Sequence, residues 1–213
     1  MKYLKLFENF ESYDPYELMM VSPNKKAEMI KEEIKKSKPN LNLIQDLITL
    51  GANLDWQIEE EFNYTLFHWA TIDGELEIVK MLIDAKANPN LKNLWGWTAL
   101  HCAAMYNKVE IARMLIDAGA NVNITNKEGW TALHEAARKG HTKIAHMLID
   151  AGTKLNVQDE DGWTSLHMAS RYGSVEIVRI LIDAGARTDI ATNGRELPYD
   201  LAQTEEMKKL LQP

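Results

Sequence analysis

A chain of 213 residues with 46% hydrophobic and 26% charged side chains has enough apolar surface to fill a core, which excludes an intrinsically disordered protein. Its formal net charge of -7 works against holding a nucleic-acid backbone by bulk attraction, because binding of that kind needs many Lys and Arg contacts. The lone cysteine, Cys102, can form neither an internal disulfide nor a thiolate cluster; it fits a reducing, cytoplasmic setting and reads as a small buried apolar side chain.

The chain opens with MKYLKLFENFESYD, in which Lys5, Glu8 and Glu11 interrupt any apolar run long enough for a signal peptide or a membrane span. Tyr3, Leu6, Phe7 and Phe10 fall on one helical face, and Asp14, Pro15 and Glu17 make a capping-box pattern that opens a second short helix. Residues 1–22 are expected to fold back as an extra cap. The same stretch resembles the short amphipathic leaders of large tailed-phage proteins, and that resemblance places a cleavage pattern of hydrophobic residue, any residue and Glu on Leu6, Phe7 and Glu8.

Residues 23–59 read as a divergent repeat that caps the N-terminal side, with Ser22 as N-cap and Pro23 as first helical residue. Leu43, Leu47, Gly51 and Ala52 align with Ile78, Leu82, Lys86 and Ala87 when the turn DWQIEEEFNY is two residues longer than later turns. The many Lys and Glu residues of this segment suit a solvated cap.

From residue 60 to residue 192 one pattern returns every 33 residues. Trp97, Trp130 and Trp163 keep that interval, as do His68, His101, His134 and His167 and the runs that begin at Leu82, Leu115, Leu148 and Leu181. Within one unit, Ala132, Leu133, Ala136 and Ala137 recur three and four apart, followed by Ile144, Ala145, Leu148 and Ile149. That periodicity predicts two short amphipathic helices per unit. Thr131 stands where an N-cap hydroxyl belongs, and Gly140 and Gly152 stand where a left-handed residue ends each helix. The Asn-, Asp- and Gly-rich stretch that follows predicts a hairpin-like turn. One such unit cannot bury both its helices, so the units must stack.

The pattern T-A-L-H-x-A, then I-x-x-L-I-D-A-G-A and a polar turn, resembles the ankyrin repeat, and four units carry it. The resemblance implies an all-α solenoid of stacked helix-turn-helix units, about six with caps, that binds a protein partner. Leu66, Ala99, Ala132 and Ser165 replace the proline of the family motif, and Asn107 replaces one interhelical glycine. Residues 193–213 resemble a terminal capping repeat with Pro198 and Ala202 in register and Asp200 in place of the histidine.

Nothing in the sequence points to catalysis or to a cofactor. Equivalent histidines on adjacent helices sit about 10 Å apart, too far to share one ion, and the family likeness gives each a hydrogen bond within its turn and to the adjoining repeat. HEAAR at His134 lacks the second histidine of a zinc protease, since Arg138 stands there. Asp84, Asp117, Asp150 and Asp183 form a ladder one repeat apart and read as solvated helix faces.

Differences between the copies point to a binding surface, because stacked units share core positions while their binding faces differ. The turn tips vary (Glu61 and Phe62, Leu94 and Trp95, Lys127 and Glu128, Glu160 and Asp161), and so do the ends of the first helices (Ile72 and Asp73, Met105 and Tyr106, Arg138 and Lys139, Arg171 and Tyr172). The family likeness puts both sets on the concave face. Tyr64, Trp97, Trp130 and Trp163 form an aromatic row along the turns. Trp95, Met105 and Tyr106 gather apolar surface as a binding hot spot, Tyr172 extends the row of varied helix ends, and Arg138, Lys139 and Arg171 provide a cationic flank for an acidic segment of a protein partner. A packaged or structural component delivered by its N-terminus is the second reading. Nucleic acid, membrane and small-molecule substrates are not expected.

Overall fold

The computed structural model describes residues 15–57 and 62–212. Tyr3, Leu6, Phe7, Phe10, Asp14, Glu61 and the leader pattern at Leu6 to Glu8 lie outside the described residues. Among the described residues there are helices and no strand element: α1 (Pro15–Met19), α2 (Pro23–Ile34), α3 (Leu41–Thr49), α4 (Leu66–Asp73), α5 (Leu76–Asp84), α6 (Ala99–Met105), α7 (Val109–Asp117), α8 (Ala132–Lys139), α9 (Thr142–Asp150), α10 (Ser165–Arg171), α11 (Val175–Asp183) and α12 (Glu205–Leu211). The fold is an all-α solenoid. First helices α2, α4, α6, α8 and α10 pack in one row, and second helices α3, α5, α7, α9, α11 and α12 pack in another.

Side-chain size decides how the rows sit. The first helices bury small pairs, Ala103 and Ala104, Ala136 and Ala137, Ala169 and Ser170, which allow close approach. The second helices bury Ile111 and Leu115, Ile144 and Leu148, Ile177 and Leu181, which hold their backbones further apart. A stack with a tight inner row and a wider outer row curves toward the inner one.

The divergent N-terminal unit takes its place in both rows. Ser22 Oγ accepts the backbone N–H of Lys25 at 3.3 Å, with Pro23 in the first turn, and Leu43 and Leu47 are buried like Ile78 and Leu82. Gly51 and Lys86 share the left-handed conformation that ends each second helix (φ 83° and 64°). The expectation that its charged residues are all solvated needs correction, because Lys26, Lys31 and Glu33 are buried. Each spends its charge locally: Lys26 Nζ donates to the Leu50 carbonyl at 2.7 Å, Lys31 pairs with Glu32 at 3.1 Å, and Glu33 pairs with Lys36 while accepting the Asn40 N–H at 3.0 Å. Leu18 of α1 joins the same core.

The four histidines are structural. At each N-cap the threonine backbone N–H donates to the imidazole Nδ1 at 3.1 to 3.2 Å, so Nδ1 carries no proton. The proton therefore sits on Nε2, which donates to the carbonyl 29 residues on: Trp97 from His68, Trp130 from His101, Trp163 from His134 and Glu196 from His167. One ring thus caps its own helix and fastens it to the next turn. Burial holds His68, His101 and His134 at a pKa of about 4, against the weaker opposing pull of the carbonyl each one bonds.

In the C-terminal unit an aspartate stands in place of the capping histidine. The backbone N–H of Leu197 donates to Asp200 Oδ2 at 2.8 Å, the bond that a histidine Nδ1 accepts elsewhere. A carboxylate can accept this bond but has no proton to pass onward. Residues 198–201 form a turn here, so only the second helix of the unit, α12, is present.

Successive turns are joined through their backbones. Leu94 donates to Phe62, Lys127 to Trp95, Glu160 to Glu128 and Asn193 to Asp161, at 2.8 to 3.1 Å. Asn93, Asn126 and Asp159 hold each tip by accepting two backbone N–H groups at 2.7 to 3.0 Å. Asp159 also uses Oδ2 to accept the Trp130 indole N–H at 2.8 Å, whereas the Nδ2 of buried Asn126, one repeat earlier, has no partner. Asn126→Asp is expected to add about 1 kcal/mol by accepting the indole of Trp97, seen as a higher urea midpoint at neutral pH. An unchanged or lower midpoint would remove that account of the unpaired amide.

Candidate functional site

The face built from turn tips and first helices carries five of the ten exposed large apolar side chains among the described residues. Phe62 (52% exposed), Leu94 (46%), Trp95 (44%) and Tyr106 (48%) lie on it at the N-terminal end, and Tyr172 (57%) lies two repeats further on. Phe62 and Trp95 pack ring to ring at 4.8 Å, with Tyr64 at 6.0 Å from Trp95. The backbone bond from Leu94 to Phe62 fixes the two tips side by side, so these rings form one patch. Met105, at the end of α6, is half-buried.

The aromatic row is set deeper. Trp97, Trp130 and Trp163 are half-buried; Trp130 and Trp163 pack against the core, and Trp97 and Trp163 lie 6.0 and 6.1 Å from the histidines of their own repeats. These rings mainly close the turns over the helices. Half-buried in this way, each ring keeps part of its surface for contact with anything else.

The expected cationic flank is changed in the structure. Arg138 donates to Glu135 Oε2 through Nη2 at 2.9 Å, and its guanidinium lies 5.3 Å from the Trp130 ring centroid. Glu135 is buried, and burial raises its pKa while the Arg138 hydrogen bond opposes that rise. Arg138 is therefore occupied in balancing a buried carboxylate and is not free to meet an acidic segment. Lys139 and Arg171 are exposed. Further along, an open groove of about 530 Å³ is lined by Glu128, Trp130, Asp159, Glu160, Asp161, Trp163, Met168 and Tyr172. Its charged rim is acidic.

Sequence reasoning named most of these positions and missed three things. The i, i+3 spacing of Glu135 and Arg138 signalled their pairing. Phe62 was read as a variable tip without being joined to Trp95, since nothing local says that tips one repeat apart touch. The acidity of the groove near Tyr172 emerges only when residues from two turns and one helix meet.

Among the described residues no group of three or more His, Cys, Asp or Glu side chains is placed to hold a metal ion, and no helix is long and apolar enough to cross a membrane. Cys102 is buried, and burial pushes its thiol up to about 12, which keeps it protonated and unreactive. Asp84, Asp117, Asp150 and Asp183 are all exposed.

No curated protein matches the chain. The family model described as ankyrin repeats (3 copies) matches residues 33–126 and 119–192, well over half the chain, and agrees with the two helical rows, the threonine–histidine caps and the joined turns. The protein belongs to the ankyrin-repeat family.

Proposed function

We propose that this protein is a non-enzymatic binding module that holds a partner protein on the concave face made by its turns and first helices. Ankyrin repeats generally bind other proteins. The observation that carries the reading here is the set of Phe62, Leu94, Trp95 and Tyr106, each about half exposed, the first three on tips joined by backbone hydrogen bonds and Tyr106 at the end of α6. Large rigid rings held in place lose little entropy on binding, which makes them effective anchors. Trp97, Trp130, Trp163 and Tyr172 continue the face, with Lys139 and Arg171 at its edge.

The test is affinity capture from the native source with wild type, with Trp95→Ala/Tyr106→Ala, and with an Arg113→Ala/His146→Ala control on the exposed side of the second helices. A protein retained by the control and reduced about tenfold or more by the aromatic variant is the expected result. Retention by the aromatic variant and loss from the control would move the interface to the other side.

A further inference from the structure

We propose that the groove between the third and fourth turns receives an arginine side chain from the partner, so that the partner is a segment with an apolar anchor at one end and a cation at the other. The proposal deepens the binding reading given above and rests on it. Its starting point is a comparison inside the molecule. On the third repeat the Trp130 ring carries the Arg138 guanidinium at 5.3 Å, and that cation is neutralised by Glu135. One repeat on, at the same 33-residue interval, Trp163 replaces Trp130, Arg171 replaces Arg138 and Met168 replaces Glu135. Without the carboxylate, Arg171 has nothing to hold it inward, and it is exposed.

The vacant position is not uncharged. Glu160 and Asp161 stand at the fourth tip and Glu128 at the third, all exposed, and among the described residues none of the three has an ion-pair partner. Asp159 is different, since both its oxygens already accept protein N–H groups. Half-buried Trp163, exposed Tyr172 and buried Met168 line the same groove as these carboxylates. A guanidinium suits such a groove because its flat face stacks on aromatic rings while its edge donates to carboxylates, as Arg138 does on the neighbouring repeat. An acidic segment would meet three like charges.

Along the face, equivalent positions change from Phe62, Leu94, Trp95 and Tyr106 to Glu128, Glu160, Asp161 and Tyr172 two repeats later. At about 10 Å per repeat the apolar and acidic ends lie roughly 20 Å apart, a distance that about six extended residues cover. A complementary segment therefore carries an apolar side chain and an arginine about six residues apart.

The test uses the full chain labelled with nitrogen-15, whose tryptophan indole N–H signals report separate places along the face. N-acetyl-argininamide and N-acetyl-phenylalaninamide are the probes. The expected result is a saturable shift of the Trp163 signal with the arginine probe in the millimolar range, weakened by salt and at least about tenfold weaker in Glu160→Lys/Asp161→Lys. Arg171→Ala, which removes the nearest internal competitor, is expected to bind at least as well as wild type. The phenylalanine probe is expected to shift Trp95. If Trp163 stays still, or responds equally to N-acetyl-glutamamide, the arginine assignment is overturned while a Trp95 response keeps the binding face. If neither probe moves any tryptophan of this face, the face itself is wrong.

Discussion

Lowering the pH from 7.5 to 5 is expected to remove about 6 kcal/mol of stability, enough to unfold an ordinary domain of this size. The cause is the buried histidine ladder. His68, His101 and His134 have folded-state pKa values lowered from 6.5 to about 4, so between those values the unfolded chain binds protons that the folded chain refuses. Their contribution is complete above pH 6.5 and is lost as the pH falls toward 4. At pH 5 each accounts for about 2 kcal/mol, and His167, lowered in the same direction, adds to the effect. Glu135 has the opposite sign, since burial raises its pKa and so favours the folded state as carboxylates protonate, but it is one group against several. The physical origin is burial, which penalises the charged imidazolium, and a proton on Nδ1 would also face the threonine N–H that now donates to it. Urea unfolding at pH 7.5 and 5, followed by circular dichroism, measures the difference. His134→Gln is expected to reduce the pH dependence by about a third, and equal stability at both pH values would refute the mechanism.

Gly129→Ala is expected to cost about 2–4 kcal/mol, against about 1 kcal/mol for Gly119→Ala, although both glycines have φ of 85°. The conformational penalty is shared, but the surroundings are not. A Cβ on Gly129 would lie 2.9 Å from Asp159 Cα, on the backbone of the next turn, which cannot move without breaking the ladder from Glu160 to Glu128. A Cβ on Gly119 meets nothing within 4 Å. Because stability in a stack is a sum of units and the interfaces between neighbours, damage at Gly129 should separate the third repeat from the fourth and loosen the groove at Trp163 as well. Thermal denaturation of the two variants side by side is decisive: equal losses would mean that close approach between turns contributes nothing.

Much of this fold was legible in the sequence because a stacked repeat satisfies its constraints locally. The 33-residue interval, Thr131 as a cap, Gly140 and Gly152 in left-handed positions, and Ser22 followed by Pro23 are all short-range requirements, and each is met where the residues indicated. Asn107 could replace a glycine because asparagine tolerates the left-handed conformation it adopts at φ 55°. The positions that vary were legible in outline too, since copies that share core positions differ where Trp95, Tyr106 and Tyr172 stand.

What the sequence determined by itself was thus the unit, its repetition and the positions free to vary. Only the tertiary structure decided which of those positions meet. It sets Phe62 against Trp95, turns Arg138 inward onto Glu135 and Trp130, leaves Trp163 without the same cation, and buries Lys26, Lys31 and Glu33 in a cap that reads as polar. The reason is physical: a helix or turn is specified by neighbours three or four residues away, whereas the charge and shape of a binding face arise from side chains one repeat apart, whose contacts depend on how the stack curves.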